Sequence, residues 1–478
     1  MRSKAADRIM SETGKGHVAV VGGGLVGPLL AVMMSRAGYD VDVYERRPDL
    51  RKTTISGGRS INLALAERGI YALASAGLIE RVKPLLIPMA GRLLHPLGQA
   101  TEFTPYGQWP GEVIFSASRS ILNQVLLAAA DESPRVRLFF EHECVGIDVQ
   151  HQTLQIREPS SKQITHVNYE RVIGTDGANS AVRSAIVAAG GGEWRYEPLD
   201  HDYKELTIPA GSSGTHLMMR DALHIWPRHG FMLIALPNLD GSFTVTLFLN
   251  KEGTPSFAEL TDATSVNRFF DEYFPDAKGL VPDLADEFFR NPTGALGTVR
   301  CSCWSAGERA LLLGDAAHGV VPFHGQGMNA GFEDCREWME VLESTNHNWH
   351  EAIEQFTIRR IPQANAIADL ALENYVTMRD SVLDPHFQLK RQIGFVLERR
   401  FRDRFIPLYS MVMFHHEIPY ATARRRGQIQ DQILDQLTAH IDRLEDVDWP
   451  LAEQLVVRTL SQLPIESVTL GDFAASAV

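Results

Sequence analysis

Apolar and polar positions near the start of the chain follow two different periods. Val18–Val21 is a short apolar run rich in β-branched residues, which predicts a buried parallel strand. Leu25–Arg36 continues with good helix formers that end at Gly38, and Tyr39–Glu45 alternates as a second strand. The pattern predicts the strand–helix–strand unit of a Rossmann-like α/β fold.

Similar patterns recur farther along the chain and are expected to complete the same domain. They predict three helices: one that Gly58–Leu65 leads into and that runs through Gly77, one over Ser118–Ala130, and one from Gly327 to about Glu343. They also predict two strands within Arg135–Arg157 and single strands at Val113–Phe115, Arg171–Gly174, Thr298–Trp304 and Ala310–Gly314. We expect the strand at Thr298–Trp304 to return to the first domain.

Two other regions have patterns of their own. Between Tyr203 and Leu249, short β-rich runs are bounded by Pro, Gly, Asn and Asp, which predicts an antiparallel meander in a second domain. Ser256–Phe289 has a helical pattern. Trp349–Thr438 is also helix-patterned, with breaks predicted at Pro362, Pro385, Pro407 and Pro419.

Three glycines after the first strand suggest a binding site for a dinucleotide. Gly22, Gly24 and Gly27 have the G-x-G-x-x-G spacing, in which glycine allows a tight turn, close approach of a pyrophosphate and close helix packing. Glu45 ends the second strand, where an acid accepts a ribose hydroxyl. The alternative is a purely structural turn, but strand, helix, second strand and acid together favour the dinucleotide.

Composition excludes several classes of partner. The 478 residues have a net charge of −13, so we expect no nucleic acid. No run approaches the ~20 apolar residues of a membrane helix, so we expect no membrane anchor and a soluble, cytoplasmic protein. Of the four cysteines, only Cys301 and Cys303 are close in sequence, and no second pair completes a zinc site. We therefore expect reduced thiols and no metal.

Two further motifs follow the glycine turn in order along the chain. Gly174–Gly177 reads GTDG and precedes Ser180 and Arg183, whereas Gly314–His318 reads GDAAH and precedes Pro322 and Gly325–Asn329. Each alone is typical of a turn or a strand end. As an ordered set, they resemble the single-component FAD-dependent aromatic hydroxylases.

The resemblance implies how FAD is bound. Asp315 would hold the ribityl chain, and the helix that Gly325–Asn329 begins would direct its positive end at the flavin pyrimidine. Asp176 and Arg183 would lie near the pyrophosphate and the transient NADPH contacts. The complete set of implied FAD residues is Gly22, Gly24, Val26, Gly27, Tyr44, Glu45, Arg46, Arg47, Ala64, Arg119, Asp176, Asp315, Gly327, Met328 and Asn329.

Within that family, the chain is most similar to the members that act on kynurenine. The matching stretches are GRSINLALAERG at Gly58, MAGRLLHP at Met89, PYG at Pro105, YKELTIP at Tyr203, ALHIWPRHGFMLIALPN at Ala222, SFTVTLFL at Ser242, VPFHGQGMNAGFEDC at Val321, ENYVTMRD at Glu373 and RFIPLYSMVMF at Arg404. They extend over nearly the whole chain.

These matches imply a substrate site with a polar end and an apolar end. Arg92, Tyr106, Asn374 and Tyr409 fall where the family holds the amino-acid end of the substrate. Without the resemblance, Arg92 is typical of a surface arginine and Tyr409 of a core residue. The aromatic end would be lined by Ile114, Leu223, Ile234, Phe248, Pro322, Phe323, His324 and Met378.

Neither histidine of these motifs is expected to be a catalytic group. We interpret His324 as packing beside flavin and substrate, with a general base as the alternative, because histidine titrates near neutral pH. We interpret His318 as structural. No catalytic side chain is expected, because the cofactor carries the chemistry.

The resemblance also implies the reaction. NADPH would reduce FAD, dioxygen would form a flavin hydroperoxide, and the ring of L-kynurenine would be hydroxylated next to its amino group. The alternatives are a hydroxylase of another aromatic amino acid or a substituted kynurenine, a flavoprotein reductase or oxidase, and a protein that only binds FAD. A homodimer is one expectation for the assembly.

The predicted architecture is an α/β fold in which a β-rich domain interrupts the FAD-binding domain. Its predicted parts are a disordered lead-in at 1–16, a Rossmann-like FAD-binding domain at 17–82, 108–195 and 298–348, an antiparallel-sheet substrate domain at 83–107 and 196–297, and a C-terminal helical region at 349–478 that covers the substrate site.

Overall fold

The computed structural model describes residues 14–52, 62–190 and 192–463. Most of the predicted lead-in and the last fifteen residues of the helical region, 464–478, lie outside the described residues. The strands of the described residues are β1 His17–Val21, β2 Asp40–Glu45, β3 Asn62–Leu65, β4 Ile87–Met89, β5 Gly91–Leu94, β6 Glu102–Pro105, β7 Ile114–Ser118, β8 Val136–Phe140, β9 Glu143–Asp148, β10 Thr153–Arg157, β11 Ile164–Asn168, β12 Arg171–Gly174, β13 Trp194–Ile208, β14 Ala222–Pro227, β15 Met232–Pro237, β16 Phe243–Asn250, β17 Thr293–Cys301, β18 Ser305–Ala306 and β19 Ala310–Leu312.

The helices of the described residues are most concentrated in the C-terminal part of the chain, after Leu312. They are α1 Val26–Arg36, α2 Glu67–Ser75, α3 Ile79–Val82, α4 Arg119–Glu132, α5 Ala181–Gly190, α6 Ala263–Tyr273, α7 Pro275–Lys278, α8 Leu284–Arg290, α9 Asp315–His318, α10 Gly327–Ser344, α11 Trp349–Val376, α12 Pro385–Arg400, α13 Leu408–Phe414, α14 Tyr420–Thr438 and α15 Trp449–Thr459.

A six-stranded sheet in the order β18-β19-β12-β1-β2-β8 forms the centre of the first domain. Only β18 is antiparallel to its neighbour. Val20 of β1 and Ile173 of β12 are fully buried, because α1, α4, α5 and β9 pack against this sheet and leave its centre no water-facing side. The predicted strand–helix–strand unit and the strands at Arg171–Gly174 and Ala310–Gly314 are confirmed.

A seven-stranded sheet in the order β17-β13-β16-β15-β14-β5-β6 forms the second domain. All its pairs are antiparallel except β14 with β5. One face packs on the helices α6 and α8, where Leu233 and Leu247 meet Phe269 and Phe270. The predicted meander is confirmed, and the α/β fold with an antiparallel-sheet insertion and a helical C-terminal part is as expected.

Three local predictions are wrong. The strand expected at Thr298–Trp304 is Thr293–Cys301, and it pairs with β13 in the second sheet instead of returning to the first. Asn62–Leu65 does not simply lead into a helix, because it is a strand that pairs with β7. Within Arg135–Arg157 there are three strands rather than two. The strand β8 pairs with β2 in the first sheet, whereas β9 and β10 form a small sheet with β11.

The C-terminal helices differ from the prediction at one proline. Pro385, Pro407 and Pro419 each stand at the start of a helix, as expected. Pro362 does not break the helix, because the 28-residue helix α11 continues through it. The missing N–H leaves the carbonyl of Ile358 without its helical partner, and the Ile358 side chain is 68% exposed, so water reaches that position.

A buried ionic network joins these helices to the first domain. Glu333 of α10 lies 2.7 Å from Arg68 of α2 and 2.9 Å from Arg360 of α11. Arg360 also lies 2.8 Å from Asp334, whose other oxygen is 2.5 Å from His318.

Arg68 also bonds the loop between the last helices. Its guanidinium donates to the carbonyl of Val412 in α13 and to those of His415, His416 and Ile418 in the loop that connects α13 to α14. The first domain and the C-terminal helices therefore share one hydrogen-bonded interior.

No helix of the described residues combines the length and the apolar character that crossing a bilayer requires.

Candidate active site

The glycine turn between β1 and α1 leaves backbone open where a phosphate would approach. Gly22 has a φ of +110°, and a Cβ there would lie 2.4 Å from the carbonyl oxygen of Thr175. A Cβ on Gly27 would lie 2.0 Å from the carbonyl oxygen of Gly22, so this glycine permits the helix to begin against the turn. A Cβ on Gly24 would meet nothing within 4 Å. Gly24 therefore borders free space at the start of α1, where N–H groups attract anions.

The Glu45 carboxylate faces the glycine turn and also stabilises it through a hydrogen bond. Its Oε2 accepts a 2.7 Å hydrogen bond from the Gly23 N–H, and its Oε1 accepts from the Arg47 backbone and Nε. Burial alone would raise the pKa of Glu45, but the hydrogen bonds from Arg47 outweigh it and the pKa is lowered. Glu45 is thus an ionised acceptor at the end of β2, as a ribose contact requires.

The third motif brings an acid and a helix start to the same edge of the sheet. Asp315 follows β19 and is exposed, with Oδ1 4.0 Å from the position of a Cβ on Gly327. Gly327 begins α10, and no side chain caps the N–H groups of its first turn. These free donors fit the oxygen atoms of a flavin pyrimidine.

Asn329 has a different role from the one that its position suggests. Its Nδ2 donates to the carbonyls of Ala64 and Gly325, both at 2.8 Å, and its Oδ1 accepts from the N–H of Ala66 at 2.9 Å. The side chain therefore joins β3 and α2 to the start of α10. It supports the cofactor edge through the backbone that it holds.

The second motif is built into the fold in a similar way. The Asp176 carboxylate accepts from Ser180 and from the N–H groups of Ala181 and Val182, and so caps α5. Burial raises its pKa. The buried Arg183 donates to the carbonyls of Ala316 and Ala178, which ties the second motif to the third.

The remaining predicted FAD residues are of two kinds, exposed arginines and residues that are wholly or partly buried. Arg46, Arg47 and Arg119 are exposed at the ends of elements on this edge of the sheet. Tyr44 is buried and stacks on Phe139 at 5.0 Å, so its ring belongs to the core. The others are wholly or partly buried along the same edge: Val26, Ala64 and Met328.

A cavity of about 580 Å³ lies between the second sheet and the C-terminal helices. It is lined by five predicted substrate residues: Arg92, Tyr106, His324, Asn374 and Tyr409. Residues from β5, β6, α11, α12, α13 and α14 complete the wall. The cavity therefore forms only when the C-terminal helices pack on the sheet.

Arg92 and two tyrosines form the polar end of this cavity. The guanidinium carbon of Arg92 is 5.4 Å from the centre of the Tyr106 ring and 4.6 Å from that of Tyr409, and the two rings stack at 5.3 Å. Arg92 Nε and the Tyr106 hydroxyl are buried and have no hydrogen-bond partner among the described residues. Burial raises the pKa of both tyrosines, so their hydroxyls stay protonated. This end has unused donors for an anionic ligand.

Asn374 connects the polar end to the apolar wall. Its Nδ2 donates to the Phe323 carbonyl at 2.8 Å and approaches the Met378 sulfur at 3.3 Å. Met378 lies in a π-helical turn, Thr377–Ser381, which directly follows α11. A turn of this kind often occurs at functional sites, because it alters the direction of side chains within a helix.

The predicted apolar residues do not line the cavity itself. Phe323 stacks on Tyr375 at 3.8 Å and meets Phe248 edge-on at 4.9 Å. Pro322 is exposed beside Phe323. The other predicted apolar residues pack in the apolar clusters beside the cavity: Ile114, Leu223, Ile234 and Met378.

His324 has the character of a neutral packing residue. It is buried, and its ring stacks on Tyr409 at 5.4 Å. Burial and the nearby Arg92 together lower its pKa to about 4. The imidazole is uncharged at neutral pH, a state that both the packing interpretation and a general base require.

Three cationic side chains that line the cavity were not predicted: Lys390, Arg391 and Arg424. Arg391 of α12 donates to the carbonyl of Pro105, next to Tyr106. Burial and the neighbouring Arg92 lower its pKa to about 10, so Arg391 stays charged. Nothing in the sequence distinguishes this arginine from those on any solvent-facing helix.

Comparison with known proteins identifies an FAD-binding fold. The model of the FAD binding domain matches residues 15–371. Kynurenine 3-monooxygenase from Myxococcus xanthus is 44% identical over 447 residues, which cover 94% of this chain and 96% of that protein. The enzymes of the same name from Flavobacterium johnsoniae and Dictyostelium discoideum are 41% and 37% identical, and the matches cover 93% of this chain and 99% and 98% of those proteins.

Solved structures share the fold at low sequence identity. The tetrameric form of 2-methyl-3-hydroxypyridine-5-carboxylic acid oxygenase superposes with a TM-score of 0.62 at 18% identity, covering 78% of this chain and 95% of that chain. Pseudomonas aeruginosa PqsL, solved with 2-aminobenzoylacetate, has a TM-score of 0.62 at 19% identity, covering 76% and 97%.

Proposed function

Since this chain belongs to the kynurenine 3-monooxygenase family, we propose that the cavity at Arg92 binds L-kynurenine. The enzyme is a flavin-dependent monooxygenase that uses NADPH and dioxygen. It hydroxylates L-kynurenine at the ring carbon next to the amino group, and NADP⁺ and water are the other products.

The residues at the edge of the first sheet fit FAD. The open space over Gly24 and the uncapped starts of α1 and α10 provide N–H groups for the pyrophosphate and for the flavin ring. Glu45 would hold a ribose hydroxyl, and Asp315 the ribityl chain. Bound FAD would accept electrons from NADPH and activate dioxygen.

Arg92 and its neighbours would hold the amino-acid end of L-kynurenine. A guanidinium forms a planar pair of hydrogen bonds with a carboxylate, and the hydroxyls of Tyr106 and Tyr409 can each add one more. Asn374 would contribute its amide oxygen, because its N–H already bonds to Phe323. A ligand fixed at this end has its ring directed along the cavity.

Orientation and water exclusion are the protein's share of the catalysis. Fixing the ring near the flavin replaces a bimolecular encounter with an oriented one. Phe323, Phe248 and Met378 form an apolar cluster beside the cavity, which limits the access of water to the reaction site. His324 adds a neutral ring to the cavity wall and introduces no charge.

The observation that most supports the proposal is the convergence of Arg92, Tyr106, Asn374 and Tyr409 on one cavity. They come from β5, the residue after β6, α11 and α13. Side chains so far apart in sequence rarely meet around an empty volume with unused donors unless a ligand requires them.

A coupled assay tests the proposal. We expect L-kynurenine to accelerate NADPH oxidation by the purified flavoprotein and to yield a product heavier by one oxygen atom. Accelerated oxidation with peroxide and unchanged kynurenine would instead show that kynurenine is only an effector. Lack of any response would remove L-kynurenine as the ligand.

Three broader features stay part of the proposal. We place the enzyme in the cytoplasm, assign it a homodimer, and keep the domain limits given above except that the substrate domain extends through Cys301, the end of β17. Cell fractionation, sedimentation and limited proteolysis test these three features. Sheet membership supports an insertion of the substrate domain, with β17 belonging to its sheet.

A further inference from the structure

Three side chains that do not line the cavity converge on one point between α2 and the loop after α13. Glu67, His416 and Glu417 each direct one possible ligand atom to it, and all three atoms lie within 4.8 Å of one another. His416 Nδ1 is 3.2 Å from Glu67 Oε1 and 3.7 Å from Glu417 Oε2. These separations are similar to those between neighbouring ligands of a tetrahedral metal ion, which follow from bonds of about 2 Å.

The imidazole nitrogen at the centre of this group is buried and unused. The His416 side chain is 10% exposed, and its Nδ1 has no hydrogen-bond partner among the described residues. The two carboxylates are near enough to attract a proton on Nδ1, but neither is aligned to accept a hydrogen bond from it. The ring is held in this orientation by stacking on Tyr71 at 4.0 Å.

Each carboxylate has one oxygen fixed by the protein and the other directed at Nδ1. Glu67 Oε2 accepts the backbone N–H of His416 at 2.9 Å, which leaves Oε1 toward the centre. Glu417 Oε1 bonds the His415 ring at 2.8 Å, which leaves Oε2 toward it. Hydrogen bonds that orient ligand groups from outside are the usual support of a metal site.

We propose that Glu67, His416 and Glu417 bind one divalent transition-metal ion, for which Zn²⁺ is the natural probe. One imidazole and two carboxylates suit zinc and its neighbours, whereas Mg²⁺ and Ca²⁺ prefer oxygen ligands alone. The two ionised carboxylates balance the charge of the ion. This revises the expectation that the chain has no metal site, which the spacing of its cysteines had suggested.

The site would strengthen the contact between the first domain and the C-terminal helices. Glu67 begins α2, whereas His416 and Glu417 lie in the loop between α13 and α14. Arg68 already bonds the carbonyls of this loop from the same helix. Because α13 also carries Tyr409, a bound ion would stabilise the helix that closes the substrate cavity.

Equilibrium dialysis of the purified flavoprotein against ZnCl₂, after removal of metals with EDTA, tests the site. We expect one zinc per chain by elemental mass spectrometry, no displacement by excess MgCl₂, and a higher melting temperature in zinc. Glu417→Gln and His416→Asn should each weaken binding by more than about tenfold. Flavin content and circular dichroism report whether each variant is folded.

His151→Asn is the matched control. His151 also lies beside a carboxylate, 2.8 Å from Asp148, but it is exposed and part of no three-ligand group in the described residues. Its zinc content should equal that of the wild type. The proposal is overturned if the wild type takes up no zinc, or if folded Glu417→Gln and His416→Asn proteins bind zinc as tightly as the wild type does.

Discussion

The guanidinium carbon of Arg92 lies 4.6 Å from the centre of the Tyr409 ring, so the second sheet and the C-terminal helices meet inside the cavity. Arg92 belongs to β5 and Tyr409 to α13. A cation beside an aromatic face is stabilised by the ring, which fixes the guanidinium for a ligand. Movement of α13 would therefore change the polar end of the cavity directly.

Replacement of Arg92 should weaken kynurenine binding while leaving the flavin in place. We expect Arg92→Gln to lose roughly 2–4 kcal/mol of binding free energy, because a charged pair is broken. Arg92→Lys should recover only part of the loss, since an ammonium lacks the planar fork. Apparent affinities from NADPH oxidation at varied kynurenine concentrations measure both. Affinities equal to that of the wild type would remove Arg92 from the site.

The Tyr106 hydroxyl should matter for binding more than for stability. It has no hydrogen-bond partner among the described residues, so Tyr106→Phe should hardly change the melting temperature but should cost about 1 kcal/mol of kynurenine binding. Tyr420→Phe is the matched control. The Tyr420 hydroxyl donates to Gln326 at 2.8 Å, so its loss should lower stability and leave kynurenine affinity unchanged. The reverse outcome for the pair would contradict the assignment.

Two glycines of the turn should respond differently to the same added methyl group. A Cβ on Gly24 meets no atom within 4 Å, so Gly24→Ala should fold but retain less FAD, because the methyl occupies the space for the pyrophosphate. A Cβ on Gly27 lies 2.0 Å from a carbonyl oxygen, so Gly27→Ala should lower the melting temperature itself. Flavin absorbance per chain and thermal unfolding separate the two effects. Full flavin content in Gly24→Ala would argue against the phosphate site.

Glu398 should make stability depend on pH near neutrality. Burial, together with the nearby Glu112, raises the pKa of this buried carboxyl to about 7, against about 4.3 in an unfolded chain. Because the folded state holds the proton more tightly, its contribution is present at low pH and is lost as the pH rises from about 4 to 7.

The variant Glu398→Gln cannot ionise and should therefore keep this contribution at high pH. Relative to the wild type, its free energy of unfolding should increase by about 3 kcal/mol between pH 4 and pH 8. Urea unfolding at several pH values measures the difference, and Glu102→Gln, at an exposed cavity-side acid, serves as control. Parallel curves for Glu398→Gln and the wild type would show that Glu398 does not hold this proton.

Local patterns predict the parts of the fold that depend on neighbouring residues. Val18–Val21 was predicted because it is a short, continuous apolar run, and the helix at Gly327 because its sequence has a helical pattern. The strand Asn62–Leu65 was missed, since four residues carry little periodicity and its partner β7 is distant in sequence. The course of α11 through Pro362 depends on which face meets water, which the pattern alone does not show.

The candidate site depends still more on distant contacts. The position of Arg92 beside Tyr409 was expected only from the family resemblance, because no local pattern relates β5 to α13. Arg391 was missed, since a cavity-lining arginine on an amphipathic helix has the same surroundings in sequence as a surface one. Asn329 was expected at FAD, but its side chain is fully engaged by the backbone of Ala64, Ala66 and Gly325.

The bonds from Arg68 to the carbonyls of the 412–418 segment bear on how this protein can be shortened. A chain that ended before α13 would leave a charged guanidinium, now 1% exposed, without those four acceptors in an opened interior. Truncation at Arg400 should therefore give an insoluble product rather than a minimal flavin domain. Engineering that seeks a smaller protein has to begin elsewhere, for example at the exposed turn between β10 and β11.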